Sequence, residues 1–171
     1  MTMRVIICLF LILTGSSTLS LAGTSGASGM FNQGDMSMSI LLGNDMAFDR
    51  SYTVLGLGYG YYILDGLQAG FDAEVWSGGA RGIERVSPQL RYVWNAAGAA
   101  KPYAGLFYSR TFIERYRDND TAGLRGGAFF VTGGRAYVGA GLVYDNHLNC
   151  DRNVYSSCVD VYPEVFVLVV F

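Results

Sequence analysis

Histidine occurs once in the 171 residues, at His147. That excludes metal centres built on several histidines and leaves one imidazole as a candidate base. Cysteine occurs three times, and only Cys150 and Cys158 lie beyond the first 22 residues. A disulfide-dense scaffold and a four-cysteine zinc site are therefore both excluded. Proline is scarce, at three residues. Neither sign of charge dominates, with 12 Lys and Arg against 14 Asp and Glu. Such a balance marks neither a basic nucleic-acid binder nor an acidic tail. No apolar run beyond residue 22 reaches the ~18 residues that a membrane helix needs. If this chain crosses a membrane, it must do so as a closed barrel of strands.

The first 22 residues read as an export signal. Arg4 supplies a positive start, VIICLFLIL a short apolar core, and Ser20-Leu21-Ala22 a small-x-small cleavage site. Cleavage after Ala22 leaves 11 basic and 14 acidic residues, a formal charge of −3. Residues 23–34, GTSGASGMFNQG, are small and polar and read as a loose leader. What the chain has in quantity is glycine (23), tyrosine (12) and phenylalanine (10), a composition suited to short strands, tight turns and interfacial belts.

From Asp35 onward the side-chain period is two. The pattern predicts eight strands, over 35–43, 51–63, 67–76, 85–94, 102–113, 124–132, 135–145 and 160–171. The alternation is sharpest in the third and fourth. There Leu67, Ala69, Phe71, Ala73 and Val75 oppose Gln68, Gly70, Asp72 and Glu74, and Val86, Pro88, Leu90, Tyr92 and Trp94 oppose Arg85, Ser87, Gln89 and Arg91. In the fifth, Ala104, Leu106 and Tyr108 are set outward against Gly105, Phe107 and Ser109. GGAFFVT in the sixth is apolar on both faces and leaves its phase open. The connections alternate in length. Short turns at 64–66, 95–101 and 132–134 are separated by longer polar links at 44–50, 77–84, 114–123 and 146–159. Short turns at one end and long loops at the other suit a barrel embedded in an outer membrane. Two aromatic belts are expected, Tyr59, Tyr61, Tyr92, Trp94, Tyr103 and Phe171 on the turn side and Trp76, Tyr108, Phe112 and Tyr144 on the loop side. A soluble ligand-binding barrel would alternate in the same way. The charges and glycines on the polar face favour a narrow, filled interior instead.

The final stretch, DVYPEVFVLVVF, alternates Val161, Pro163, Val165, Val167 and Val169 back from Phe171. It resembles the closing strand of bacterial outer-membrane barrels. With the signal, eight strands and loop asymmetry, residues 35–171 are similar to the small barrels of the OmpX, OmpA transmembrane-domain and opacity-protein group. The resemblance implies an all-β, eight-stranded antiparallel up-and-down transmembrane barrel in the outer membrane, in contact with lipid and lipopolysaccharide. It implies that Phe171 is read by the barrel-assembly machinery, and that the role is adhesive or envelope-structural. A monomer without cofactor and without nucleic acid is expected.

The candidate sites follow from the polar face. Asp72, Glu74, Arg85, Arg91, Arg135 and Glu164 would fill the lumen as paired charges, because a buried charge needs a partner. Cys150 and Cys158 share the longest loop of an exported chain and read as a disulfide. With His147 and Asp151 nearby a metal is the competing reading, but the ligand set is poor. Arg110, Arg115, Arg117 and Arg125 flank the third loop and could fork onto lipopolysaccharide phosphates. His147 reads as a solvated loop residue. The enzyme alternative is a lipid A deacylase or acyltransferase barrel, in which His147 would serve Ser156 or Ser157; a small pore is the other. The stapled loop, with Asp151, Arg152, Asn153 and Tyr155, would present a surface to a host molecule, a phage or a neighbouring envelope component.

Overall fold

The computed structural model describes residues 30–48, 50–79, 81–95, 98–150 and 157–171. The predicted signal segment and most of the leader lie outside these residues, as do Asp151, Arg152, Asn153, Tyr155 and Ser156. Eight strands run in chain order: β1 Met36–Ala47, β2 Arg50–Leu64, β3 Leu67–Ser77, β4 Ile83–Val93, β5 Ala100–Ile113, β6 Asn119–Gly133, β7 Ala136–His147 and β8 Val159–Val170. Each pairs antiparallel with its neighbours, and β8 returns to β1 to close the barrel. Among the described residues no helix is long and apolar enough to cross a membrane.

The period-two pattern builds this wall directly. Along β2 the burial alternates residue by residue, with Leu55, Leu57, Tyr59 and Tyr61 outside and Tyr52 and Val54 inside. The exterior is a continuous apolar surface, on which Leu42, Leu57, Leu124, Leu142, Val161 and Val165 are each more than half exposed. The same exterior in water would leave a hydrophobic patch far larger than soluble monomers carry. At the turn end, Asp65-Gly66 makes a tight hairpin in which Gly66 takes φ +76°, a conformation that favours glycine.

Several expectations are corrected here. The loop-end connections are shorter than the polar links of the sequence suggest. The link at 44–50 is ladder up to the Ala47/Arg50 pair, and β6 begins at Asn119 inside the link at 114–123. Polar residues there belong to strands that stay paired beyond the apolar band. Tyr103 and Trp76 are not belt residues: both are buried inside the barrel, at 2% and 5% exposure. Strand phase decides this, since Tyr103 shares a face with Phe107 and Trp76 with Gln68. The open phase of β6 resolves with Leu124 and Phe130 outward and Arg125 and Phe129 inward.

The leader is corrected too. Its last residues form a cork in the turn-end mouth. Phe31 is fully buried, with its ring 4.9 Å from that of Tyr137, 5.6 Å from Tyr62 and 5.8 Å from Phe129. Backbone bonds hold the segment from both sides. The amide of Gly66 donates to the Phe31 carbonyl (2.7 Å) and that of Gly34 to the Tyr62 carbonyl (2.9 Å). Asn95 donates to the Met30 carbonyl (2.8 Å), and the Tyr137 hydroxyl meets the Met30 sulfur. A small, polar composition masked a single aromatic, Phe31, that is buried in the mouth.

Candidate functional site: the barrel interior and its two mouths

The interior divides into three layers. At the turn end lies an aromatic layer of Phe31, Tyr62, Tyr103, Phe129, Tyr137 and Phe166. Phe129 and Phe166 pack edge to face at 5.6 Å, and Tyr103 tilts against Phe129 at 4.7 Å. Arg91 caps this layer. Its guanidinium lies 5.2–5.7 Å from the ring centres of Tyr103, Phe129 and Phe166, within the range of cation–π attraction.

Above it is a connected polar layer. Arg91 donates to Gln89 (3.0 Å), and Gln89 donates to Asp72 (2.8 Å). Arg125 reaches Asp72 at 3.0 Å and Glu164 at 3.7 Å, and the Tyr103 hydroxyl donates to Glu164 (2.8 Å). Arg85 pairs with Asp145 at 2.6 Å and lies 4.0 Å from Glu74, which accepts from the Trp76 indole (3.2 Å). Tyr162 adds a hydroxyl toward Asp145 (3.3 Å). The glycines of β2 make room for this. A side chain at Gly58 would collide with Ser39 and Asp72, and one at Gly60 with Gln68. The inward glycines expected on the polar face are, on this strand, the space into which the polar side chains fold.

At the loop end a second apolar cluster, Tyr52, Val54, Trp76, Ile83 and Ile113, fills one side. Arg81 closes over it, 4.8 Å from the Phe48 ring and 5.5 Å from Tyr116. The opposite side is polar. The disulfide Cys150–Cys158 spans the β7–β8 connection, and the His147 amide donates to the Cys158 carbonyl (2.9 Å).

The structure thus brings Asp72, Glu74, Arg85, Arg91 and Glu164 together inside, and corrects two arginines. Arg135 sits in the turn before β7 and is exposed, because the strand starts one residue later than its alternation implied. Arg125 is no surface residue: it is 9% exposed, on the inward face of β6. The alternation through Thr121, Gly123 and Arg125 carried that signal, but the two-sided run after it hid the phase. Asp145 was readable as inward yet was not counted among the charges; it is the nearest partner of Arg85. Arg110, Arg115 and Arg117 do lie exposed at the loop end, with Arg110 held by Asp118 (2.9 Å). His147 is corrected as well. It is buried (7% exposed), its Nδ1 within 2.9 Å of Thr121 and 3.1 Å of Asn119, and its Nε2 3.1 Å from Asp160. Thr–His–Asp is the order of a hydrolase triad. Here Thr121 has no exposed surface, and the hydroxyl and carboxylate sit on the opposite ring nitrogens from those a triad uses, so the set reads as a polar clamp joining β6, β7 and β8. Among the described residues no cluster of three or more His, Cys, Asp or Glu is placed to hold a metal ion.

No protein-family model matches the chain. No curated protein matches it significantly by sequence. Solved structures do match by fold. The N-terminal β-barrel domain of Pseudomonas aeruginosa OprF superposes with a TM-score of 0.60 at 14% identity, over 81% of this chain and 98% of that one. Neisserial surface protein A gives 0.58 at 13% identity, over 79% and 95%. The outer membrane protein OprG of P. aeruginosa gives 0.54 at 16%, over 82% and 97%. The chain has the fold of small eight-stranded outer-membrane barrels, with the apolar exterior that such a position requires.

Proposed function

We propose that the chain is a non-enzymatic outer-membrane barrel with an occluded interior, acting in the envelope as a structural element and as a binding surface. The observation that carries this is the filled lumen: an aromatic layer corked by Phe31, topped by a charge network in which Arg85 and Arg125 are paired with carboxylates and Arg91 is held by Gln89 and the rings. An eight-stranded barrel is just wide enough for side chains to fill, and this interior leaves function to the outside. In this reading the loop end faces outward. Outer-leaflet lipid surrounds the wall, and Arg110, Arg115 and Arg117 stand where lipopolysaccharide phosphates would lie. The disulfide-stapled connection between β7 and β8 lowers the ordering cost of binding a host, phage or envelope partner. The barrel works as a monomer, delivered by the assembly machinery through its terminal Phe171. That residue's amide and carbonyl bond Met36 at 2.8 and 2.9 Å, so it also completes the closing ladder.

Recovery in the outer-membrane fraction with heat-modifiable gel migration is the expected result. Deleting Phe171 is expected to reduce that assembled fraction several-fold. A soluble periplasmic product would overturn the proposal.

The enzyme reading keeps one observation in its favour, the Thr121–His147–Asp160 contact. If it is a clamp, expressing the wild type leaves the mass spectrum of lipid A unchanged, and His147→Ala only loosens the loop end. A mass shift in lipid A that disappears in His147→Ala would replace the present reading.

A further inference from the structure

The junction that closes the barrel is only half closed. β1/β2 and β7/β8 are laddered to their loop ends, at Ala47/Arg50 and Asn146/Val159. β1 and β8 pair only from Met36 to Leu41 against Phe166 to Phe171. Both strands continue beyond that, β1 up to Ala47 and β8 down from Val159, without pairing to each other. Extending the register would set Leu42 opposite Val165 and Asn44 opposite Pro163.

Pro163 keeps the split from closing farther along. The reciprocal bonds of Phe171 with Met36 show that outward residues of β8 turn their backbone groups toward β1. Pro163 belongs to that outward set and has no N–H, so a bond opposite Asn44 cannot carry the ladder past Leu42/Val165. Its other edge is unaffected, and it remains in register with Leu142 of β7. Unpaired strand edges are not tolerated against hydrocarbon unless they line a cavity.

They do line one. A cleft of about 80 Å³ lies at the seam, below the roughly 300–1,000 Å³ of sites that enclose a whole ligand, so it has room for a small head group and the first carbons of a chain. Its lips are Leu42, Gly43, Pro163 and Val165, and Leu42 is 67% exposed on the apolar exterior. Its inner end is polar, at Arg85, Tyr162 and Glu164. Toward the turn end the Arg91 and aromatic layers close the route. A molecule held here therefore has an apolar flank in the wall and a polar terminus in the lumen. The charges define that terminus further. Arg85 already holds Asp145, and Arg125 already holds Asp72 and Glu164. An anionic head would have to displace a buried carboxylate, which is costly. An uncharged hydroxyl needs only a neutral partner such as Tyr162.

We propose that the β1/β8 seam is a lateral slot that binds a single hydrocarbon chain with an uncharged hydroxyl head. The chain lies between the lips within the outer leaflet, and the head reaches Tyr162 and Arg85. This rests on the membrane-barrel reading above, and the test separates the two.

Trp76 is the reporter, since its indole donates to Glu74, which lines the cleft. Trp94, on the exterior, is removed by Trp94→Phe. The full mature chain is folded into phospholipid nanodiscs, checked for heat-modifiable migration, and titrated with nitroxide-labelled dodecanol. Saturable quenching of Trp76 is expected. Gly43→Phe should weaken it by about tenfold or more, because a Cβ at Gly43 meets only a Leu41 methyl at 4.0 Å and the ring would occupy the cleft. Pro163→Val, which restores the missing donor, should weaken it similarly and serves if Gly43→Phe does not fold. Ionised, nitroxide-labelled dodecanoate should bind about tenfold more weakly than the alcohol. Quenching that never saturates, or that saturates equally in both variants, would overturn the slot. Equal binding of dodecanoate would overturn the uncharged head. Loss of heat-modifiable migration in the wild type itself would instead strike the membrane reading, and the slot with it.

Discussion

Replacing Arg125 with leucine is expected to lower the stability of the folded barrel by about 3–5 kcal/mol. Arg125 is the cation shared by Asp72, at 3.0 Å, and Glu164, at 3.7 Å. Removing it leaves two carboxylates in a layer where Gln89 and Tyr103 are the remaining donors to them. The loss of one partner from a buried pair leaves the other's desolvation uncompensated, and that penalty exceeds the net worth of the pair itself. Arg110 provides the contrast. It also contacts an aspartate, Asp118 at 2.9 Å, but its side chain is 51% exposed. Arg110→Ala is therefore expected to leave stability almost unchanged. Denaturant midpoints of the barrel in lipid vesicles measure both, with slopes unchanged if the folded state keeps its extent. Equal, small shifts for the two variants would mean that the lumen is wet enough to screen its charges.

Phe31→Ala is expected to act just as strongly but locally. Truncating a buried phenylalanine removes about 3–5 kcal/mol of packing. Here the loss falls on the docking of residues 30–34 rather than on the strands, whose ladders do not pass through Phe31. Hydrogen exchange reads that docking. The amides of Gly34 and Gly66, held by the Tyr62 and Phe31 carbonyls, should exchange about a hundred- to several-thousandfold faster, the rate equivalent of that energy. The amides in the β2/β3 ladder should keep their protection. Unchanged exchange at Gly66 would show that the cork contributes little.

What could be read in the sequence, and what could not, follows from the physics of each residue. Strands three and four were legible because Asp72, Glu74, Arg85 and Arg91 alternate with Phe71, Ala73, Val86 and Leu90, and one-residue slips would bury charge in lipid. Their height was legible too. The partners were not, since pairing across a lumen depends on where strands from distant parts of the chain meet. Arg125 and Asp145 come from β6 and β7, and the first was lost to the two-sided apolar run beside it. Phe31 was illegible for a different reason. One aromatic in a small, polar segment carries no period, and its burial is decided entirely by the mouth it enters. His147 was misplaced because the strands extend past the apolar band, so a residue in a polar link still faces inward. Pro163 was visible as part of an outward face, but its place opposite Asn44 in the seam needed the register of β1 against β8.

The closed interior is tested most directly by conductance. Purified protein inserted into a planar lipid bilayer is predicted to show no stable channel under an applied potential, because the Arg125, Asp72 and Glu164 layer and the aromatic layer beneath it fill the cross-section. Large, long-lived single-channel steps from the wild-type barrel would contradict the account, and would make the charge network the lining of a pore.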